Sequence, residues 1–211
     1  EKEVMHFGQI ILGIAHSDKK TLRDFVENIK VKYEKLSAII DPKECLDNER
    51  NHFGKEILIN HSNNEKNTGN YHKNIYYTQH QEQAYLEPQG AIAIYDETKK
   101  TMFVRVTAQC PFFVKSGVET IMGNAINEAI IETSEGIGGK EDFPNLLPGI
   151  SSLLAYKSGK PVKIVLTRND DIQITTKRHP SRIEIETWTN PLTQKIEKCN
   201  IDYRLDAGAF Q

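Results

Sequence analysis

Apolar positions along the chain change period several times, and each change predicts an element. Gly8 to Ala15 (GQIILGIA) is an apolar run of strand length. Leu22, Phe25, Val26 and Ile29 follow at i, i+3, i+4 and i+7, one face of an amphipathic helix, with His16-Ser17-Asp18 offering cap residues. Ile29, Val31 and Tyr33 then alternate with Lys30, Lys32 and Glu34, so the period switches to that of a strand and the region reads as a β-α-β unit. Asp41-Pro42 opens a short polar helix to about Arg50, with the proline where its missing N–H costs nothing.

From Asn60 to Asn74 apolar residues nearly vanish and Asn dominates, so residues 61–74 read as an exposed polar linker or long loop, the best candidate for a domain boundary. The second half is strand-rich. Ala91–Tyr95 and Met102–Thr107 flank the turn 96–100 as a hairpin. Pro111–Met122 reads as a helix, Ala129–Thr133 as a strand, and Leu146–Lys157 as a helix stopped at Ser158-Gly159. Val162–Leu166 is a short apolar run. Ile183, Ile185 and Thr187 alternate with Glu184, Glu186 and Trp188, and a turn at Asn190-Pro191 leads to a second hairpin strand, Ile196–Leu205. The fold class is therefore α+β (mixed α/β): residues 1–60 as a small α/β portion, then residues 75–211 as a strand-rich domain with helices on one side.

Composition narrows the function classes. Hydrophobic residues make 38% and charged residues 27%, enough for a packed core. A net charge of −2 gives no general pull toward nucleic acid. No apolar run approaches the ~20 residues of a membrane helix. Three scattered cysteines, Cys45, Cys110 and Cys199, fit a reducing, cytoplasmic setting better than a disulfide framework. The chain opens on Glu1-Lys2-Glu3 and closes on Ala209-Phe210-Gln211, as expected of a piece of a longer protein.

Three stretches could carry chemistry. The loop Ser134 to Asp142 (SEGIGGKED) lies between a predicted strand and helix, where glycines admit close backbone approach and a helix start favours an anion. It is neither a P-loop nor a dinucleotide fingerprint, because the required glycine spacing is missing. The second stretch, His80 to Gln89, concentrates hydrogen-bonding side chains. The third, Thr167 to Pro180, includes Asp170-Asp171, which resemble a carboxylate pair but point apart as neighbours and read as a surface turn or helix cap. Cys110 reads as a small buried hydrophobe. No protein-only metal motif or nucleophile elbow occurs.

Taken in order, these stretches resemble the molybdenum-cofactor subunit of the xanthine dehydrogenase and aldehyde oxidase family. Val31-Lys32-Tyr33-Glu34-Lys35-Leu36 is similar to a signal of the family's α/β hammerhead domain. Gln81-Glu82-Gln83-Ala84-Tyr85-Leu86-Glu87-Pro88-Gln89 resembles Gln-Glu-x-x-Tyr-Leu-Glu-x-Gln, and Thr107-Ala108-Gln109-Cys110-Pro111 resembles Ser-Thr-Gln-x-Pro. Gly136-Ile137-Gly138-Gly139-Lys140-Glu141-Asp142 is similar to Gly-Phe-Gly-Gly-Lys-Glu-Asp. Lys160-Pro161-Val162, Arg168 to Pro180, and Asp206 to Phe210 resemble further family segments.

The resemblance implies a hammerhead portion followed by the first part of a molybdenum-cofactor-binding domain. It implies an oxidoreductase in which molybdenum–molybdopterin hydroxylates a purine C–H with oxygen from water. Electrons leave to iron–sulfur centres, and flavin lies on other domains or subunits of what is expected to be an oligomer. Gln81, Gly136, Ile137, Gly138 and Gly139 match cofactor-binding positions, and Glu141 matches a purine-binding glutamate. The catalytic base is expected downstream, so the isolated fragment is expected to be inactive. Ile137 stands where Phe is usual, and Ser134-Glu135 where glycines are common. Those departures favour a different alternative, a non-catalytic α+β interaction module without the cofactor. An aldehyde oxidase-type hydroxylase is the alternative within the enzyme class.

Overall fold

The computed structural model describes residues 3–38, 57–60, 69–134, 139–140 and 146–208. They form a mixed α+β protein of two compact units, each built from two stretches of chain. Glu1–Lys32 joins Glu82–Lys177 in the first, and Tyr33–Gln81 joins Arg178–Gln211 in the second. Sequence composition suggests one boundary, at 61–74; the chain instead leaves the second unit after Gln81 and returns to it at Arg178.

In the first unit, β2 (Gly90–Asp96) and β3 (Thr101–Val106) form the expected hairpin. The Asp96 carboxylate closes its turn by accepting from the backbone N–H groups of Thr98 and Lys99 at 3.0 and 3.2 Å. The helix Pro111–Met122, here α2, crosses over to β4 (Glu128–Thr133), which runs parallel to β3. A second helix, Leu146–Ser158 (α3), leads to β5 (Val162–Val165), which pairs antiparallel with β2. The sheet order is β4-β3-β2-β5.

Both helices cover one face of this sheet. Ala91, Ala93, Met102, Val104, Val106 and Ala129 from the strands meet Val114, Val118 and Met122 of α2, and Leu147 and Ala155 of α3. The period explains the choice of face: alternate strand residues point inward, and α2 buries positions i, i+4 and i+8. Small residues of α3 (Gly149, Ser151, Ser152 and Ala155) let that helix approach closely. The opposite sheet face stays open, with Ile94 and Ile130 exposed beside the Arg105–Glu132 ion pair. A short helix, α4 (Arg168–Ile174), ends the unit.

The N-terminal region differs from the expected β-α-β unit. Its helix, α1 (Lys19–Glu27), forms with Asp18 as N-cap, whose carboxylate accepts from Thr21 N–H at 2.7 Å. Neither flanking run pairs as a strand among the described residues. GQIILGIA lies along helices: a Cβ on Gly13 would sit 3.0 Å from Ile150 of α3, and one on Gly8 2.8 Å from Ile174 of α4. The run thus touches helices at its glycines without gaining a ladder partner, and Ile11 and Leu12 stay exposed. The expected helix at 41–50 lies outside the described residues.

The second unit is the sheet β1-β6-β7, from Asn70–Thr78, Ser181–Thr189 and Ile196–Leu205. The second hairpin therefore forms as expected, with the Asn190 side chain accepting from Leu192 and Thr193 N–H. β1 corrects the linker reading at its C-terminal end, because Asn70–Asn74 are strand. Polar residues serve there because β1 pairs along its whole length with β6 and buries little of either face. Residues 61–68 of the expected linker lie outside the described residues.

Candidate functional site

Three of the chemistry-bearing stretches meet in the first unit. The irregular segment 82–89, between β1 and β2, folds inward at Tyr85, one of its two buried side chains with Gln89. Burial pushes the Tyr85 phenol above its ordinary value of 10.0, so it stays protonated. Its oxygen accepts from the Gln89 amide at 2.7 Å. The Gln89 backbone N–H donates to Asp171 Oδ1 at 3.2 Å, and Asp171 Oδ2 takes Arg168 at 3.1 Å. Arg168 also donates to the carbonyl of Leu86 at 2.8 Å, while Lys177 pairs with Glu82 at 2.8 Å. The segment is thus clamped onto α4 and the residues that follow it.

This settles the roles of Asp170 and Asp171. Asp170 belongs to the helix cap, since its N–H donates to the Thr167 hydroxyl and that hydroxyl donates back to its carboxylate. Asp171 departs from the surface reading, being fully buried as the hub of the clamp. Burial raises its carboxyl above the ordinary 3.8, opposed by the Gln89 N–H and by Arg168. The sequence signal was available in outline: one carboxylate of an adjacent pair on a short helix faces the core when the other caps.

On its other side the segment holds Gly139 and Lys140. The Lys140 side chain is fully enclosed and pairs with Glu87 Oε2 at 2.7 Å, its ammonium 5.2 Å from the centre of the Tyr85 ring. Glu87 Oε1 accepts from the Ser134 hydroxyl at 3.2 Å. The backbone N–H of Lys140 donates to Gln109 Oε1 at 3.1 Å. Gly139 has φ +66, and a Cβ there would meet Gln83 and Tyr85 at 3.0–3.1 Å. Gln83 Oε1 is buried without a partner among the described residues.

Of the expected cofactor positions, Gly139 lies in the first unit, packed against Gln83 and Tyr85. Gly136, Ile137, Gly138 and the substrate position Glu141 lie outside the described residues. Gln81 belongs to the second unit, where it forms a bridge with Arg178 and accepts from that guanidinium at 3.2 Å. The glutamines beside Gly139–Lys140 are Gln83 and Gln109. The Gln109 motif carries no role in the sequence alone, because nothing in the spacing brings residue 109 to residue 140. Cys110, expected to be buried, is only half-buried and sits at the N-terminus of α2. Among the described residues no cluster of three or more His, Cys, Asp or Glu could hold a metal, and no helix is long and apolar enough to cross a membrane.

The family model of the molybdopterin cofactor-binding domain matches residues 60–211. The chain belongs to the molybdopterin cofactor-binding domain family. This family member is 28% identical to aldehyde oxidase 4 of Rattus norvegicus, covering 99% of this chain and 16% of the relative. It is 29% identical to the xanthine dehydrogenase/oxidase of Mus musculus, covering 84% of this chain and 14% of the relative. The chain thus spans 14–16% of the length of these curated relatives. Among solved structures, a Cu,Mo-CO dehydrogenase aligns with TM-score 0.70 at 18% identity, covering 90% of this chain and 28% of that one. Quinoline 2-oxidoreductase of Pseudomonas putida 86 aligns with TM-score 0.55 at 20% identity, covering 64% of this chain and 17% of that one. At these identities the likeness concerns the fold.

The residues present fit the family's cofactor. An exposed pterin edge needs uncharged donors and acceptors held still at close range. Gly139, packed where a Cβ would crowd Gln83, holds the backbone still, and Gln83 Oε1, buried with no partner among the described residues, is an uncharged acceptor that such a group would satisfy. Gln109 adds an amide whose Nε2 end carries two donors.

Proposed function

We propose that this chain is the part of a molybdenum hydroxylase large subunit that holds one side of the molybdopterin group, in an enzyme that hydroxylates a purine. The observation carrying this reading is the locked Gly139–Lys140 backbone beside Gln83, in a member of the molybdopterin cofactor-binding domain family. The bound group supplies the redox chemistry, hydroxylation of a substrate C–H with water as the oxygen source. The chain's own residues bind and orient. Gln81, Gly136, Ile137, Gly138 and Gly139 hold the cofactor, and Gln83 and Gln109 add neutral polar contacts. Glu141 accepts from purine N–H groups and steadies the charge distribution of the bound ring. Iron–sulfur and flavin domains or subunits are the electron-transfer partners. The intact enzyme is cytoplasmic and oligomeric, and the 211 residues alone are inactive.

Similarity to aldehyde oxidase 4 favours a second reading, an aldehyde as substrate. The test is metal analysis and steady-state assay of the full-length protein with hypoxanthine, xanthine and an aldehyde. Molybdenum near one per chain with purine turnover is the expected result; folded protein without molybdenum leaves the non-catalytic module. Glu141→Gln separates the two enzymatic readings. Purine turnover should fall ~10-fold or more, equivalent to ~1.4 kcal/mol, while aldehyde turnover changes far less. Equal purine kinetics before and after that substitution would remove Glu141 from the substrate site.

A further inference from the structure

The family motif contains a lysine, and its chemistry offers three uses: to bind an anion, to transfer a proton, or to hold structure. The geometry at Lys140 excludes the first two for this arrangement. Its side chain is 0% exposed, its ammonium donates to Glu87 Oε2 at 2.7 Å, and the Tyr85 ring closes another side at 5.2 Å. Reaching a ligand would require breaking the ion pair and leaving Glu87 without its cation. Both ends of the residue are held, since its backbone N–H is bound to Gln109, just after β3. Glu87 in turn is steadied by Ser134, just after β4.

β3 and β4 are parallel, so Gln109 and Ser134 stand at the same, C-terminal end of the pair. Loops at this end of parallel strands are where such sheets present backbone to a ligand. An enclosed lysine is costly to desolvate, and apolar residues in place of both partners of such an ion pair are often neutral or stabilising. Stability alone therefore does not explain its use here. What the pair does supply is direction. An ion pair with one short hydrogen bond defines the residue's position, and through it the φ +66 conformation of Gly139 against Gln83.

We infer that Lys140 and Glu87 are positioning residues: their ion pair, enclosed at its lysine end, sets the Gly139–Lys140 backbone for cofactor capture, and the lysine itself touches neither cofactor nor substrate. This rests on the reading that the parent protein carries molybdopterin.

The experiment compares Lys140→Met, Glu87→Gln, the double variant and Ser134→Ala in the full-length protein, with molybdenum per chain and the melting temperature as readouts. Each single charge variant should lose molybdenum ~10-fold or more, the scale seen when partners that orient metal-binding groups are removed. The double variant has no uncompensated charge, so its melting temperature should return to near wild type while its molybdenum stays low. Ser134→Ala, which only loosens Glu87, should lower molybdenum occupancy with melting unchanged. Recovery of molybdenum together with melting in the double variant would overturn the inference, as would full occupancy in the single variants. Should the double variant not fold, wild-type molybdenum in Ser134→Ala overturns it. Wild-type protein devoid of molybdenum would instead remove the underlying cofactor reading, and the inference with it.

Discussion

Replacing Gly139 by alanine adds one methyl group at a position the structure makes unusually demanding. Two costs combine there. The φ of +66 lies in the left-handed region, where an L side chain costs ~1–2 kcal/mol. The new Cβ would also stand 3.0 Å from Gln83 Cγ and 3.1 Å from Tyr85 Cδ1. Tyr85 is buried and tied to Gln89, so it has little room to give, and overpacking of this kind costs ~1–3 kcal/mol. Gly159 provides the control. It has φ +62 at the C-terminus of α3, and a Cβ there meets nothing within 4 Å. Gly159→Ala carries the conformational cost alone, so the difference between the variants isolates the crowding. Urea denaturation of the 211-residue chain, followed by circular dichroism, reads it directly. With m of ~1–3 kcal/mol/M, Gly139→Ala should unfold at a midpoint ~1 M below that of Gly159→Ala, with m unchanged. Equal midpoints would refute the close approach of Gln83 and Tyr85, and with it the rigid backbone on which the proposed cofactor contact depends.

Two further outcomes concern charge. Asp171→Ala leaves the Gln89 N–H without its acceptor and should cost ~1–3 kcal/mol. Because burial raises Asp171 above 3.8, the folded state binds its proton more tightly than the unfolded chain does. The wild-type advantage over Asp171→Ala should therefore be largest below that value and shrink as pH rises through the raised one; an advantage that grows with pH in a melting series would contradict this. In the second unit, Lys73 and Arg182 hold the Glu184 carboxyl below its ordinary 4.5. Their contribution is present above that value and lost as pH falls through the lowered one, so Glu184→Gln should flatten the acid limb of Trp188-detected unfolding, as should added salt. An unchanged acid limb would show that the three charges are uncoupled in solution.

Local grammar made much of this architecture legible. Pro111 and the spacing of Val114, Val118 and Met122 mark α2, Gly159 marks the end of α3, and alternation around Ile183 marks β6. What local grammar misses depends on partners. GQIILGIA has a strand's composition, yet helices α3 and α4 receive it and no strand among the described residues does. Asn70–Asn74 look like a linker until β6 supplies a ladder. The same holds at the site. The resemblance marked Gly139 and its neighbours, but the contact of Gln109 with Lys140 spans 31 residues and that of Glu87 with Lys140 spans 53, distances over which spacing carries no information.

The way the first unit interrupts the second also sets an order of events during synthesis. β1 can complete its ladder only with β6, a partner 103 residues later at Thr78–Ser181 and 119 residues later at Asn70–Thr189. Hairpin β2–β3 and the crossover through α2 to β4 need only neighbouring sequence and can close while the chain is still growing. Loop closure over more than a hundred residues is entropically costly when the loop is a coil and far less so when it is already compact. The inserted unit therefore acts as a folded spacer, shortening the search that brings Thr78 to Ser181. Until β6 emerges, β1 must travel with its backbone N–H and C=O groups lacking their ladder partner, the interval in which this polypeptide is most exposed to mispairing with its neighbours.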